Sequence, residues 1–137
     1  MSGVGIDLIE IERLERALER RPRLAERLFT EAELAQARPR FRPGRHLAAR
    51  FAAKEAAIKA LGVPVPAREV EVEGGAREAP RLRLHGRAAA LAADRGVELQ
   101  VSLTHSGETA AAVVVASPAP DAVAPSAGEP LDPPAGG

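Results

Sequence analysis

Cysteine, tryptophan and tyrosine are absent from the 137 residues, and phenylalanine occurs only at 29, 41 and 51. Without cysteine the chain can build no disulfide framework, no thiolate nucleophile and no cysteine-based zinc site. Such a composition fits a reducing cytoplasm. Without tyrosine or tryptophan there is little to stack on nucleobases. Neither sign of charge is in excess: 19 Lys+Arg balance 19 Asp+Glu, and the pI is near 6.9. That balance argues against a whole-surface grip on nucleic acid, which is usually strongly basic. No apolar run approaches the ~18 residues of a membrane span. The start, MSGVGIDLIEIERLER, lacks the basic segment and long apolar stretch of a signal peptide. The expectation is a cytoplasmic protein with neither a nucleic-acid nor a membrane partner.

Lysine is nearly absent too. Lys54 and Lys59 are the chain's two lysines, and both lie in FAAKEAAIKALG, on either side of Glu55. Alanine, by contrast, supplies 29 residues. Each alanine buries little surface at about 25 cal/mol per Å², so the core is thin and self-association is expected to supply part of the burial.

The pattern of residues predicts an α+β fold: a small, mostly antiparallel sheet packed on a long central helix. GVGIDL reads as a short strand, with Asp7 at its junction with a helix in which Ile11, Leu14 and Leu18 share one face. Thr30 and Glu33 have capping-box spacing, which predicts a helix over 31–38 ended by Pro39. Residues 45–61 lack Gly and Pro and predict a long helix capped by Gly62. REVEVEGG and PRLRLHG alternate as strands around a Gly74–Gly75 turn. A helix over RAAALAADRG follows, then strands VELQVSLT and AAAVVVA joined through HSGE. From Ser117 the composition changes: six of the twelve prolines fall in the last 21 residues. The domain is therefore read as 1–116, and 117–137 as a disordered Pro/Ala-rich tail.

Two carboxylates from separate elements, Asp7 and Glu55, can hold a Mg²⁺ that leaves its other positions to water and substrate phosphates. Asp7 is equally suited to cap a helix, and Glu55 to form an i,i+4 surface pair with Lys59. An ammonium beside a metal makes sense when an anion joins them, and lysine binds phosphate as a point charge. Thr104 and His105 end a strand where they can form an anion-contacting rim, or a strand end with no function. Arg38, Arg40, Arg42, Arg45 and Arg50 follow one another without an acidic residue, a patch for an acidic partner or a solvated charged face. No Ser/His/Asp set is present in a recognisable arrangement.

GVGIDLIEIERL, RFAAKEAAIKALG and VSLTHS together resemble the short, single-domain 4′-phosphopantetheinyl transferases, the holo-[acyl-carrier-protein] synthase family, over residues 3 to about 116. The resemblance implies transfer of the phosphopantetheine arm of coenzyme A to a serine of apo acyl carrier protein, with release of adenosine 3′,5′-bisphosphate. It implies Asp7 and Glu55 as Mg²⁺ ligands, and Asp7, Glu55 and Lys59 as the catalytic set. Lys54, Lys59 and Arg50 would meet the coenzyme A phosphates, and Gly62, Ser102, Thr104 and His105 would line the nucleotide pocket. Arg13, Arg20 and Arg23 would face the acidic helix of the carrier protein. It further implies a homotrimer with active sites between subunits. The base would be Glu55 or a Mg²⁺-bound water. Departures are the KALG–VPVPAR loop after the long helix and Thr109 in place of an aromatic. The alternative is a catalytically idle module that binds coenzyme A or carrier protein, and a weaker rival is a small RNA-binding protein.

Overall fold

A computed structural model describes residues 3–75 and 77–120. Strand β1 (Gly3–Glu10) leads into helix α1 (Ile11–Arg20), followed by the short helices α2 (Leu24–Leu28) and α3 (Glu31–Ala37). Helix α4 (Pro43–Leu61) crosses the molecule. A 3-10 turn (Ala67–Glu69), strands β2 (Val70–Glu73) and β3 (Arg81–Leu84), helix α5 (Gly86–Arg95) and strands β4 (Val97–Ser106) and β5 (Thr109–Pro118) complete the order. All strand pairs are antiparallel, as expected, but they form two sheets instead of one: β1-β5-β4 and β2-β3. The first strand is longer than GVGIDL, so Asp7 lies inside it and the N-cap of α1 is Glu10. β5 runs through Pro118, two residues past the expected domain boundary, because Ser117 and Pro118 pair with Glu98 and Val97. The rest of the expected tail, 121–137, lies outside the described residues.

Local chemistry explains the boundaries. Thr30 and Glu33 form the reciprocal capping box at the start of α3. Gly62 ends α4 at φ 75, a left-handed conformation that glycine adopts without penalty. α4 is the central element. Ala52, Ala53, Ala56 and Ala57 are completely buried in a cluster with Val70, Val72 and Val114. A second cluster gathers Ile11, Leu14 and Phe29 around the start of the same helix.

Small residues let β1 lie directly on α4. A Cβ at Gly5 would fall 1.9 Å from the Ala56 carbonyl oxygen, and one at Gly3 would fall 2.7 Å from that of Ala60. Only glycine permits this approach. The opposite face of the sheet is apolar and uncovered: Val4, Ile6 and Leu8 are 66%, 68% and 71% exposed, with Val115 beside them on β5.

Candidate active site

Period-two alternation puts Gly3, Gly5, Asp7 and Ile9 on the α4 side of β1 and Val4, Ile6 and Leu8 on the other. Asp7 is thus delivered to α4 by the same close approach that Gly5 allows. Glu55 and Lys59 lie one helical turn apart on the facing side of α4. The Lys59 Nζ donates to Asp7 Oδ1 at 3.1 Å and to the Ile6 carbonyl at 3.0 Å. Partial burial raises the Glu55 carboxyl above its ordinary pKa of 4.5; the Asp7 charge adds to the rise and Lys59 opposes it. Asp7 is therefore neither a helix cap nor isolated, and Glu55 feels a like charge from another element.

Two carboxylates with one ammonium carry one net negative charge, which favours a cation. Among the described residues no group of three or more His, Cys, Asp or Glu side chains could hold a metal alone. A Mg²⁺ takes one or two protein carboxylates and completes its octahedron with water and substrate phosphates. Asp7 and Glu55 are the carboxylates of this site that such an ion could use.

Lys54 is placed elsewhere. It is 0% exposed and its Nζ lies 2.7 Å from Glu33 Oε1. It also donates to the carbonyls of Val70 (2.7 Å) and Ala67 (3.1 Å). Burial lowers its pKa and the Glu33 charge opposes the fall. All three ammonium protons are used inside the fold, so the expected contact of Lys54 with a coenzyme A phosphate is not available from this position. A run of alanines around a lysine gives no sign in the sequence of which way the lysine points.

Arg50 is 3% exposed and donates to the Gly74 carbonyl at 2.6 Å, while its Nε has no partner. It forms one wall of a cavity with Arg40, Arg45, His46 and His105. His46 is held near pKa 4, first by burial and then by the charges of Arg50 and Arg40. This cavity suits an anion. Arg42 reaches the same cavity but is neutralised: it makes paired hydrogen bonds to Glu15 (2.8 and 2.9 Å) and to Glu108 (2.8 and 3.0 Å). The continuous basic patch expected over 38–50 is thereby reduced, since Arg42 is paired and Arg50 buried.

Ser102, Thr104 and His105 do not converge within one chain. Ser102 and Thr104 share the outer face with Ile6 and Val113, whereas His105, one residue on, turns to the α4 side and the cationic cavity. Alternation along β4 separates them. Gly62 is exposed at the end of α4, and Arg13, Arg20 and Arg23 are exposed along and beyond α1. Thr109 opens β5 opposite Glu10 and Ser106.

The family model described as the 4′-phosphopantetheinyl transferase superfamily matches residues 3–114. The chain belongs to that superfamily. A holo-[acyl-carrier-protein] synthase of Moorella thermoacetica is 51% identical over 121 residues, 84% of this chain and 93% of the relative. One from Streptomyces coelicolor is 53% identical over 119 residues, 83% of this chain and 95% of the relative. Among solved structures, the Chronobacterium ammoniagenes ACPS–CoA complex superposes with a TM-score of 0.75 at 33% identity, covering 85% of this chain and 96% of that one. The superfamily's fold is therefore the fold of this chain, with the sheet split noted above. Within it, the sequence reading missed two residues that organise the site's surroundings. Glu33 was legible as a capping residue but not as the partner of Lys54. Glu108 lies in the HSGE connection, where nothing in the local sequence marks it as a clamp on Arg42.

Proposed function

We propose that this chain transfers the 4′-phosphopantetheine arm of coenzyme A to a serine of an apo acyl carrier protein and releases adenosine 3′,5′-bisphosphate. The proposed setting is fatty-acid or polyketide synthesis in the cytoplasm. The observation that carries this reading is the contact of Lys59 with Asp7 beside a Glu55 of raised pKa. In the reaction the serine oxygen bonds to the phosphorus that bears the pantetheine, and the phosphoanhydride P–O bond to adenosine bisphosphate breaks. Phosphoryl transfer asks the protein chiefly to position groups and stabilise charge. Asp7 and Glu55 would hold Mg²⁺, which when bound withdraws charge from the pyrophosphate. Lys59 offers an ammonium where negative charge grows. Glu55 is the group of this chain proposed to accept the serine proton; burial and the Asp7 charge raise its carboxyl in the metal-free chain. The nucleophile belongs to the partner, so the chain needs none.

The cationic cavity around Arg45, Arg50 and His105 is proposed to take a phosphate of coenzyme A. It flanks the first half of α4, while Glu55 and Lys59 lie on the second. Arg45 and Lys59 are fourteen residues apart, about 21 Å along a helix. The uncovered apolar face of Val4, Ile6, Leu8 and Val115 supports association of copies. We therefore propose a homotrimer in which the cavity of one subunit faces the carboxylates of the next. Arg13, Arg20 and Arg23 are assigned to the acidic helix of the carrier protein.

The test is to mix the protein with apo carrier protein, coenzyme A and Mg²⁺ and weigh the carrier by intact-mass spectrometry. A metal-dependent gain of one phosphopantetheine, abolished by EDTA, is the expected result. Coenzyme A binding without any transfer to several carriers would point to an idle binding module.

A further inference from the structure

Six of the ten buried positions of α4 are alanine, and the ten spread over most of its circumference, leaving the sector of Phe51, Glu55 and Ile58 only partly covered. An amphipathic helix is held at one rotation by its apolar stripe. The buried face of α4 is too broad and too rich in alanine to hold the rotation closely. Turning it about its own axis would exchange one set of small apolar contacts for another. Yet the candidate site needs one rotation, because Glu55 and Lys59 must both face Asp7.

Two buried polar contacts distinguish one rotation: Arg50 donates to the Gly74 carbonyl, and a fully buried ion pair lies one turn further on. Lys54 Nζ meets Glu33 Oε1 at 2.7 Å, and both side chains are 0% exposed. The Glu33 carboxylate also accepts the Thr30 N–H at 2.9 Å and the Val72 N–H at 2.7 Å. The Lys54 ammonium spends its other protons on the Ala67 and Val70 carbonyls, with the Phe29 ring centroid 5.5 Å away. Four elements are tied at this point: α3, α4, the 3-10 turn and β2. At about 100° per residue, Glu55 lies about 100° and Lys59 about 140° round the helix from Lys54. The pair thus grips the side of α4 turned away from the site. A rotation by one residue would strand a buried carboxylate and a buried ammonium, a far steeper penalty than any change among alanines. Buried ion pairs are weak contributors to net stability, and their best-attested use is to specify register.

We propose that the Glu33–Lys54 pair is a positioning device that sets the rotation of α4 and so aims Glu55 and Lys59 at Asp7. The proposal rests on the reading of those three residues as the active site. Lys54 and Glu33 touch no substrate in this scheme and act through Glu55 and Lys59.

The experiment uses the full chain with both partners replaced, Glu33→Leu/Lys54→Met, which leaves no unpaired buried charge. Three readouts are taken: thermal unfolding, turnover with coenzyme A and carrier protein, and NOEs between Ile6 or Asp7 and the Lys59 side chain. The expected result is a cooperative melt, lowered in temperature because the Val72 N–H and the Ala67 and Val70 carbonyls lose their partners, and weakened or missing NOEs. The kcat should fall about 10- to 100-fold, as for outer residues that orient a site, with KM for the carrier unchanged. A folded double variant with wild-type NOEs and wild-type kcat overturns the proposal. A double variant that fails to fold overturns it as well, since the pair would then serve folding itself. If wild-type protein transfers nothing to any carrier, the active-site reading falls, while the NOEs still report whether the pair aims α4.

Discussion

The Lys59 ammonium lies 3.1 Å from the Asp7 carboxylate, across 52 positions of sequence. It also takes the Ile6 carbonyl at 3.0 Å. A compact, tetrahedral donor can serve both acceptors and still meet an anion on its exposed side. A planar guanidinium cannot adopt the same short bridge. Lys59→Arg is therefore expected to lower kcat between about 10- and 100-fold, the cost of misplacing a group by about 1 Å. Steady-state kinetics on the variant check this. Wild-type kcat would show that charge alone suffices.

Removing either carboxylate should remove the metal. Asp7→Ala and Glu55→Ala are each expected to lose about 100-fold or more in turnover without loss of the cooperative melt. Turnover within a fewfold of wild type at the same Mg²⁺ concentration would refute the assignment.

Glu55 also links activity to stability. Its folded pKa is raised, so the folded state holds its proton more tightly than the unfolded chain. The charged form consequently costs stability above the raised pKa, and the cost vanishes below the ordinary value near 4.5. Glu55→Gln should melt at a higher temperature than wild type at pH 7 and at an equal temperature near pH 4, while being inactive. An equal melting temperature at both pH values would mean that Glu55 is not penalised by its setting.

Gly5 sets the distance between strand and helix. Any Cβ there must displace the Ala56 carbonyl, 1.9 Å away. Gly5→Ala is expected to destabilise by about 1–3 kcal/mol, the usual cost of overpacking, and to reduce turnover by moving Asp7. Denaturant titration and kinetics measure the two effects. A variant as stable as wild type would show that β1 can lift off α4 without strain.

His46 should act as an acid fuse. Its pKa falls from 6.5 to about 4 because burial and two arginines disfavour the charged ring. The unfolded chain therefore binds the proton first, and stability is lost as pH falls from about 6.5 toward 4, by at most about 3 kcal/mol. His46→Phe should flatten that part of the stability profile. An unchanged profile would assign acid sensitivity to other groups.

Arg13 is exposed and only loosely engaged, 3.9 Å from Glu10. Arg13→Glu is expected to weaken binding of the carrier protein in calorimetry and to leave coenzyme A binding intact. A parallel loss of coenzyme A binding would mean that α1 belongs to the nucleotide site.

Much of this was readable from residue order because its causes are local. The capping box at Thr30 and Glu33, the left-handed Gly62 and the alternation of β2 and β3 follow from neighbours a few residues apart. Asp7 and Glu55 were singled out as candidates because a metal and a pyrophosphate call for carboxylates and ammonium groups together. The direction of Lys54 was not readable. Lys54 and Lys59 sit in the same alanine-rich helix, and nothing within a few residues says that one points into the core.

By itself the sequence determined the order of helices and strands, the caps at Thr30 and Gly62, and a short list of candidate carboxylates and ammonium groups, with no cysteine, stacking aromatic or charge excess among them. Tertiary structure alone decided which lysine is free to meet an anion. Lys59 reaches Asp7 and remains exposed, whereas Lys54 is consumed by Glu33 and two carbonyls. It also decided that His105 parts from Ser102 and Thr104, and that Arg42 is neutralised. The physical reason is the same in each case. Local propensity acts over a turn or two of chain, but the partner that fixes a charge lies wherever packing brings distant segments together.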